Sequence, residues 1–222
     1  MKNFAVIDSE AREFLKKGLE ELRLPTDDAV VDRLVDFGNL LMKWNKTYNL
    51  TSITNAEDVV KKHLLDSAAF AAYLNSDECK DLVRGLDVGS GGGLPGIPCA
   101  ILCPEKNFTM VDAVGKKVTF LNQAILQLRL KNIRAVHTRI ENLKEPAFDF
   151  ISSRAFSSVD QFVGLTENLI KEDGYWLAMK GKMPNEEIEK LTASVGVEKI
   201  VPLNVPYLEE ERHLVVLKKK EE

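Results

Sequence analysis

The chain has 222 residues, of which 45% are hydrophobic and 29% charged, and this is enough for one well-packed core with a small accessory region. Its formal net charge of −4 argues against nonspecific coating of nucleic acid, which needs many cationic contacts, but it is compatible with a local basic patch. Because no apolar run approaches the roughly 20 residues that span a bilayer and the first residues, MKNF, lack a signal peptide's apolar stretch, we expect a cytoplasmic protein without membrane contact.

The first part of the chain is predicted to be mostly helical, and we assign residues 1–80 to an N-terminal helical region. Apolar residues recur there at helical spacing in three stretches, and residues that favour helix starts precede each stretch. The predicted elements are a helix capped by Ser9 that ends near Pro25, a helix from Thr26 to Trp44, an irregular connection over residues 45–50, and a helical stretch over residues 55–74.

Strand-like and helix-like segments alternate in the rest of the chain, and we assign residues 81–222 to one α/β domain. Such alternation is typical of a mainly parallel sheet with helices on both faces. The predicted strands cover residues 86–88, 108–112, 133–137, 148–152, 175–179, 200–203 and 213–217. The predicted helices cover residues 94–102, 116–130, 159–170 and 186–193, and residues 218–222 are expected to form a frayed charged tail.

A glycine-rich segment, GSGGGLPG over residues 89–96, directly follows the first predicted strand. Glycines permit positive φ angles and let a ligand approach the backbone, while the helix that follows presents free N–H groups. The glycines alone fit S-adenosylmethionine and a dinucleotide equally well, because residues 91–96 also match the pattern G-x-G-x-x-G. A tight strand-to-helix turn without a ligand is a third interpretation.

Residues at the predicted strand ends favour the cationic cofactor. Asp87 immediately precedes the glycines, where its carboxylate can accept hydrogen bonds from an ammonium group and would repel a pyrophosphate. Asp112 ends the next strand about 20 residues further on, a spacing that suits a ribose diol in either cofactor. Ile140 and Glu141 follow the third strand, where an adenine would lie, although Glu141 also suits the start of a helix.

The glycine loop and its continuation, LDVGSGGGLPGIP over residues 86–98, resemble the cofactor loop of a known family. The family is that of the bacterial small-subunit rRNA (guanine-N7)-methyltransferases, also called glucose-inhibited division protein B. Further similar segments follow in the same order along most of the chain: NLT at 49–51, HLLDS at 63–67, DAVGKK at 112–117, RIE at 139–141, SRAF at 153–156 and KG at 180–181. The chain departs from the family pattern at Ala113, where Ser is usual, at Lys117, where Arg is usual, and at Gly92, which is often Pro.

The resemblance implies a class I, Rossmann-like methyltransferase fold, with a mainly parallel seven-stranded sheet and an N-terminal helical cap. It implies that S-adenosylmethionine is the methyl donor and that the acceptor is N7 of one guanine in the decoding-region loop of 16S rRNA. The cofactor-binding residues implied by the resemblance or by the strand ends are Asp87, Gly89, Gly91, Leu94, Asp112, Ile140, Glu141 and Arg154.

Arg154 is the candidate for positioning the reactants, because it follows a predicted strand at the sheet edge where doubly wound folds bind ligands. Its guanidinium can hold the methionine carboxylate of the cofactor, donate to guanine O6, or simply cover the sheet edge. Guanine N7 carries a lone pair in the base plane, so we expect catalysis by alignment of the reacting atoms, without a general base.

RNA contacts are expected from Asn49, Lys116, Lys117 and Lys180, and either Phe156 or Tyr48 is a candidate to stack on the extruded base. The expected partner is 16S rRNA or the small ribosomal subunit, and the sequence does not distinguish naked RNA from an assembled particle. We expect a monomer without a metal site, since Cys79, Cys99 and Cys103 lack the surroundings of metal ligands. An NAD-dependent oxidoreductase and a non-enzymatic RNA-binding module stay open as alternatives.

Overall fold

The computed structural model describes residues 6–154, 156 and 158–220. The first five residues, Ala155 of the SRAF segment and the last two residues of the predicted tail lie outside this part of the chain. The described strands are β1 (Arg84–Val88), β2 (Asn107–Asp112), β3 (Ile133–His137), β4 (Phe148–Arg154), β5 (Ile170–Lys180), β6 (Val195–Pro202) and β7 (His213–Lys219).

These strands form one seven-stranded sheet in the order β3-β2-β1-β4-β5-β7-β6. All pairs from β3 to β5 are parallel, and only β7 runs antiparallel to its two neighbours, so the predicted mainly parallel sheet is confirmed. The order reverses between β1 and β4, where Asp87 lies opposite Ser152. In doubly wound sheets ligands bind outside the carboxyl ends of the strands at such a reversal.

The helices of the N-terminal region begin and end at slightly different residues than predicted. The structure has α1 (Ser9–Glu21) and α2 (Asp28–Tyr48). Asp8, rather than Ser9, caps α1, because its carboxylate accepts a hydrogen bond from the N–H of Ala11 at 2.9 Å. The irregular connection predicted over residues 45–50 is wrong for residues 45–48, since α2 continues to Tyr48 and ends at Asn49 in the left-handed conformation.

The helical stretch predicted over residues 55–74 contains a change of helix type. The segment α3 (Ala56–Val59) passes through a π-helical turn (Val60–Leu65) into α4 (Asp66–Leu74). Single π turns inside helices occur frequently at functional sites. Here the turn contains His63 and leads directly to Asp66, two buried polar residues.

The later helices are α5 (Gly96–Leu102), α6 (Gly115–Gln127), α7 (Val159–Thr166) and α8 (Asn185–Ile188). The helix predicted over 159–170 is too long, because residues 167–169 form a 3-10 turn and Ile170 already begins β5. The predicted frayed tail is also wrong at its start, since Lys218 and Lys219 pair with Gly196 and Val195 of the edge strand.

Two apolar layers cover the faces of the sheet. One layer joins the N-terminal helices, α5 and α6 to the sheet, with buried side chains such as Phe37, Phe120 and Phe150. The other lies under α7 and includes Phe162 and Trp176, which are almost fully buried. The helices of residues 9–74 therefore share a continuous core with the sheet that carries the glycine loop. Among the described residues no helix is both long and apolar enough to cross a membrane.

Candidate active site

The glycine loop follows β1 and adopts backbone angles that suit glycine. Gly89 and Gly93 have φ angles of +71° and +79°, in the left-handed region that other residues rarely adopt. A Cβ added to Gly93 would lie 2.6 Å from Cδ1 of Ile97, whereas a Cβ added to Gly89 would meet no atom within 4 Å. Gly93 is thus required for packing, and the backbone at Gly89 faces open space that a ligand can enter.

Asp112, at the end of β2, fixes this loop. One carboxylate oxygen accepts a hydrogen bond from the N–H of Gly91 at 3.0 Å, and the other accepts from the N–H of Val114 at 2.8 Å. The ammonium group of Lys117 lies 3.8 Å from the first of these oxygens. The predicted cofactor-binding residue Asp112 therefore also connects the ends of β1 and β2.

Asp87 is 1% exposed, and neither of its carboxylate oxygens has a hydrogen-bond partner within the described part of the chain. The nearby Ser90 hydroxyl donates instead to the main-chain oxygen of Asp87, at 2.9 Å. Burial raises the pKa of Asp87 to about 6, and the neighbouring Ser90 hydroxyl and Gly96 N–H, followed by the positive charge of Arg154, offset part of this rise. Because an unpaired buried carboxylate is costly, the arrangement indicates a site for a cationic or hydrogen-bond-donating ligand.

The other predicted cofactor residues lie around the ends of β1, β2 and β3. Ile140 lies in a short 3-10 turn after β3 and belongs to the same apolar cluster as Val88 and Val111. Glu141 in that turn is exposed, and Leu94 in the glycine loop is 5% exposed. These residues therefore surround the same edge of the sheet as Asp87.

A cavity of about 550 Å³ lies at the carboxyl ends of β4 and β5 and contains Arg154. We call it the Arg154 pocket. It is lined by Thr51, Ser52, Ile53, Lys62, His63, Asp66, Arg154, Met179, Lys180, Gly181, Leu203, Arg212 and His213. Pockets of this size accommodate small ligands such as a nucleotide. The lining combines residues from the helical region with residues from the sheet and from the segment before β7.

Asp66 joins two arginines in this pocket. Its Oδ2 accepts a hydrogen bond from Nη1 of Arg154 at 3.2 Å, and its Oδ1 accepts from Nε of Arg212 at 2.9 Å. No functional role was predicted for Asp66 or Arg212. The sequence does contain an indication for Asp66, since an acidic residue inside the mostly apolar stretch 64–71 needs a buried partner.

His63 is a buried imidazole next to this group. Its Nε2 lies 2.7 Å from the hydroxyl of Thr51, and its Nδ1 lies 2.9 Å from the main-chain oxygen of Lys62. Burial, followed by the charge of Arg154, lowers the pKa of His63 to about 4. The ring is therefore neutral at pH 7, and both of its nitrogens have partners.

Asn45 holds the segment that carries Thr51 against α2. Its side-chain oxygen accepts from the N–H of Thr51 at 2.9 Å, and its amide donates to the carbonyl of Ile53 at 3.3 Å. Asn45 is 7% exposed, so these bonds satisfy a buried polar group. Asn45 lies in the stretch predicted to be an irregular connection, and its role in shaping the pocket wall was not predicted.

The predicted RNA-binding residues lie in different parts of the structure. Lys116 and Asn49 are exposed, whereas Lys180 lines the Arg154 pocket and its ammonium group lies 2.7 Å from Oε2 of Glu187. Neither candidate for base stacking lines that pocket: the ring of Phe156 lies 5.7 Å from that of Phe162, and the ring of Tyr48 lies 5.1 Å from that of Trp44.

The three cysteines are free and buried. The described residues contain no group of three or more His, Cys, Asp or Glu side chains that could hold a metal ion.

The model of the rRNA small subunit methyltransferase G family matches residues 30–215. The ribosomal RNA small subunit methyltransferase G of Neisseria meningitidis serogroup B is 43% identical over 211 residues, covering 95% of this chain and all of the relative. The protein of the same name from Chromobacterium violaceum is 46% identical over 202 residues, covering 90% of this chain and 94% of the relative.

Solved structures agree with the fold. The magnesium protoporphyrin IX methyltransferase of Synechocystis with bound S-adenosylmethionine has a TM-score of 0.61 at 12% identity, over 83% of this chain and 98% of the other. TrmN from Thermus thermophilus has a TM-score of 0.54 at 16% identity, over 72% of this chain and 53% of the other. These likenesses confirm the predicted Rossmann-like fold, and the family match sets the oxidoreductase alternative aside. The chain belongs to the rRNA small subunit methyltransferase G family of S-adenosylmethionine-dependent enzymes.

Proposed function

We propose that the chain transfers a methyl group from S-adenosylmethionine to N7 of one guanine in 16S rRNA of the small ribosomal subunit. The observation that carries this proposal is the juxtaposition of two sites at one edge of the sheet. The unpaired carboxylate of Asp87 lies at the end of β1, and the Arg154 pocket begins at the end of the adjacent strand β4.

The residues around the glycine loop fit the cofactor. The buried Asp87 carboxylate suits the cationic amino group of a methionine moiety, and the open space at Gly89 lets a ligand approach the backbone. When bound, S-adenosylmethionine supplies an electrophilic methyl group on a positively charged sulfur. The further proposed contacts are Gly91, Leu94, Asp112, Ile140 and Glu141.

The Arg154 pocket is the proposed site of the target guanine. Arginine N–H groups suit the acceptor O6 of guanine, and a donor to O6 leaves the lone pair of N7 free to react. We assign Arg154 to the guanine rather than to the cofactor, because its guanidinium points toward Asp66 in the pocket. Its role is positioning, and holding the reacting atoms in line accounts for most of the expected rate gain.

The protonation states in the pocket suit a reaction that removes no proton. His63 is neutral with both ring nitrogens engaged, and the carboxylate of Asp66 is bonded to two arginines. Neither group is therefore available as a general base. Methylation of an amino group releases a proton that an acceptor must take up, whereas methylation of N7 releases none.

The basic residues near the two sites are proposed to hold the RNA backbone. Lys116 and Lys117 lie at the start of α6, and Asn49 lies at the end of α2. Lys180 would exchange the carboxylate of Glu187 for an RNA phosphate. We further propose that the protein works in the cytoplasm as a monomer, without a metal ion, on 16S rRNA or on an assembled subunit.

Methyl transfer with a labelled methyl donor tests this function. Wild-type protein is incubated with small subunits and with free 16S rRNA that both lack the modification. We expect label in 16S rRNA, and a loss of at least about 100-fold in the Arg154→Ala variant, because misplaced reactants react much more slowly. Arg134→Ala serves as the control, since Arg134 is half-exposed and pairs with Glu145 away from the pocket. Label that never enters 16S rRNA would contradict the proposal.

Cofactor binding provides a second measurement. S-adenosylhomocysteine should raise the Tm of the protein, because a ligand that binds only the folded state stabilises it, and NADH should leave the Tm unchanged. A shift with NADH alone would contradict the assignment of the loop.

A further inference from the structure

Asp66 connects three parts of the chain that are distant in sequence. It begins α4, and it is hydrogen-bonded to Arg154 at the end of β4 and to Arg212 just before β7. These partners lie 88 and 146 residues away along the chain. Asp66 is 3% exposed, so its charge is stabilised by the two guanidinium groups rather than by water.

The two arginines keep part of their surface toward the pocket. The side chains of Arg154 and Arg212 are 22% and 21% exposed, and both line the cavity of about 550 Å³. Two guanidinium groups in one pocket repel each other, and the carboxylate between them offsets that repulsion. Each guanidinium has five N–H donors. Arg154 also donates to the main-chain oxygen of Lys62, and Arg212 donates to the main-chain oxygen of Glu211 and to the carboxylate of Glu210, so the direction of the remaining N–H groups is fixed.

We propose that Asp66 is a positioning residue that holds Arg154 and Arg212 as a pair, with their N–H donors directed at the acceptor atoms of the target guanine nucleotide. The inference rests on the proposed function, and it adds Arg212 to the residues that contact the substrate. Arg212 also pairs with Glu210, which in turn pairs with Lys62, so the three cations and two carboxylates of this group carry a net charge of +1, which suits a nucleotide with one phosphate. Asp66 itself does not touch the substrate.

The variant Asp66→Asn tests this role, because it keeps the side-chain shape and removes the charge that both arginines share. We expect kcat/KM for the RNA to fall about 10- to 100-fold, as for other displaced positioning groups. The Kd for S-adenosylhomocysteine should change less than about twofold. Asp81→Asn, at an exposed position before β1, is the matched control and should leave both quantities unchanged.

A double-mutant cycle separates positioning from a merely structural role. Asp66→Asn should lower kcat/KM for the RNA much less in the Arg212→Ala background than in wild type, because one arginine of the pair is already missing. Strict additivity, or a cofactor Kd that rises in parallel with the loss of activity, would overturn the proposal. So would an Asp66→Asn variant with wild-type activity.

Binding of guanosine 5′-monophosphate, measured by NMR without a methyl donor, keeps the two proposals distinguishable. Wild type could transfer no methyl group to RNA and still bind this nucleotide at least about tenfold more tightly than Asp66→Asn does. That result would contradict the proposed function and support the proposed role of Asp66 in pairing the arginines. If wild type and Asp66→Asn bind the nucleotide equally, or neither binds it, the pairing proposal is overturned.

Discussion

The carboxylate of Asp87 makes the stability of the ligand-free protein depend on pH. Burial raises its pKa to about 6, whereas an aspartate in an unfolded chain titrates near about 3.9. Between these values the folded protein binds more protons than the unfolded chain, so the contribution of Asp87 to the free energy of unfolding falls as the pH rises. From pH 5 to 7.5 the free energy of unfolding of wild type should fall by about 1 kcal/mol relative to that of Asp87→Asn, as measured by urea unfolding without cofactor.

The same substitution should weaken the cofactor site. A charged hydrogen bond is worth about 1.5–3 kcal/mol, so the Kd for S-adenosylmethionine should rise at least about tenfold in Asp87→Asn, measured by titration calorimetry at pH 7.5. The exposed Asp81→Asn variant should match wild type in both experiments. An unfolding free-energy difference that does not change with pH, together with unchanged cofactor affinity, would show that Asp87 is an ordinary buried residue.

Asp87 and Asp66 differ in how visible they are in the sequence. Asp87 directly precedes the glycines, and the local order strand, carboxylate, glycine loop already indicates a ligand site. The role of Asp66 depends on Arg212, 146 residues away, and no local pattern reveals such a pairing. The role of a residue can therefore be predicted here when it depends on neighbours in the sequence. A role that depends on long-range contacts can be recognised only once the fold is known.

The glycine loop gives a prediction at the level of an element. Gly89→Ala should lower the free energy of unfolding by about 1 kcal/mol, because its φ of +71° is unfavourable for alanine. It should also weaken S-adenosylmethionine binding, since the added methyl group projects into the open space beside the loop.

Gly164→Ala is a matched control for this substitution. A Cβ at Gly164 also meets no atom within 4 Å, but Gly164 lies inside α7, where alanine is favourable. The free energy of unfolding of Gly164→Ala should be equal to or higher than that of wild type, and its cofactor affinity should not change. Equal cofactor affinity in Gly89→Ala and wild type would mean that the loop does not contact the ligand.

Element types were predicted better than element ends. All seven strands were placed, because alternating strand and helix patterns depend on local hydrophobicity. The end of α2 was placed too early because Asn49, rather than Asn45, adopts the left-handed angles that stop the helix, and the side chain of Asn45 instead serves the pocket wall. The π turn at residues 60–65 has no sequence pattern that distinguishes it from an α-helix.

At the scale of the whole molecule, the helical region and the sheet form one core and share one pocket. Residues from Thr51 to Asp66 contribute one wall of the Arg154 pocket, while β4, β5 and the segment before β7 contribute the other. The change in composition near residue 80 predicts a boundary between a helical region and an α/β domain. In the structure, residues from both sides of that boundary line the Arg154 pocket. The proposed methyl transfer thus requires the helical region as a component of the substrate site.

The most direct measurement is to identify the methylated atom in 16S rRNA after reaction with wild-type protein. Strand cleavage by borohydride and aniline is selective for N7-methylguanosine, so primer extension on the treated RNA locates that base. We expect one cleavage site, absent when the Arg154→Ala variant replaces wild type. Labelled 16S rRNA that resists cleavage and yields a different methylated nucleoside on digestion would contradict methylation at guanine N7.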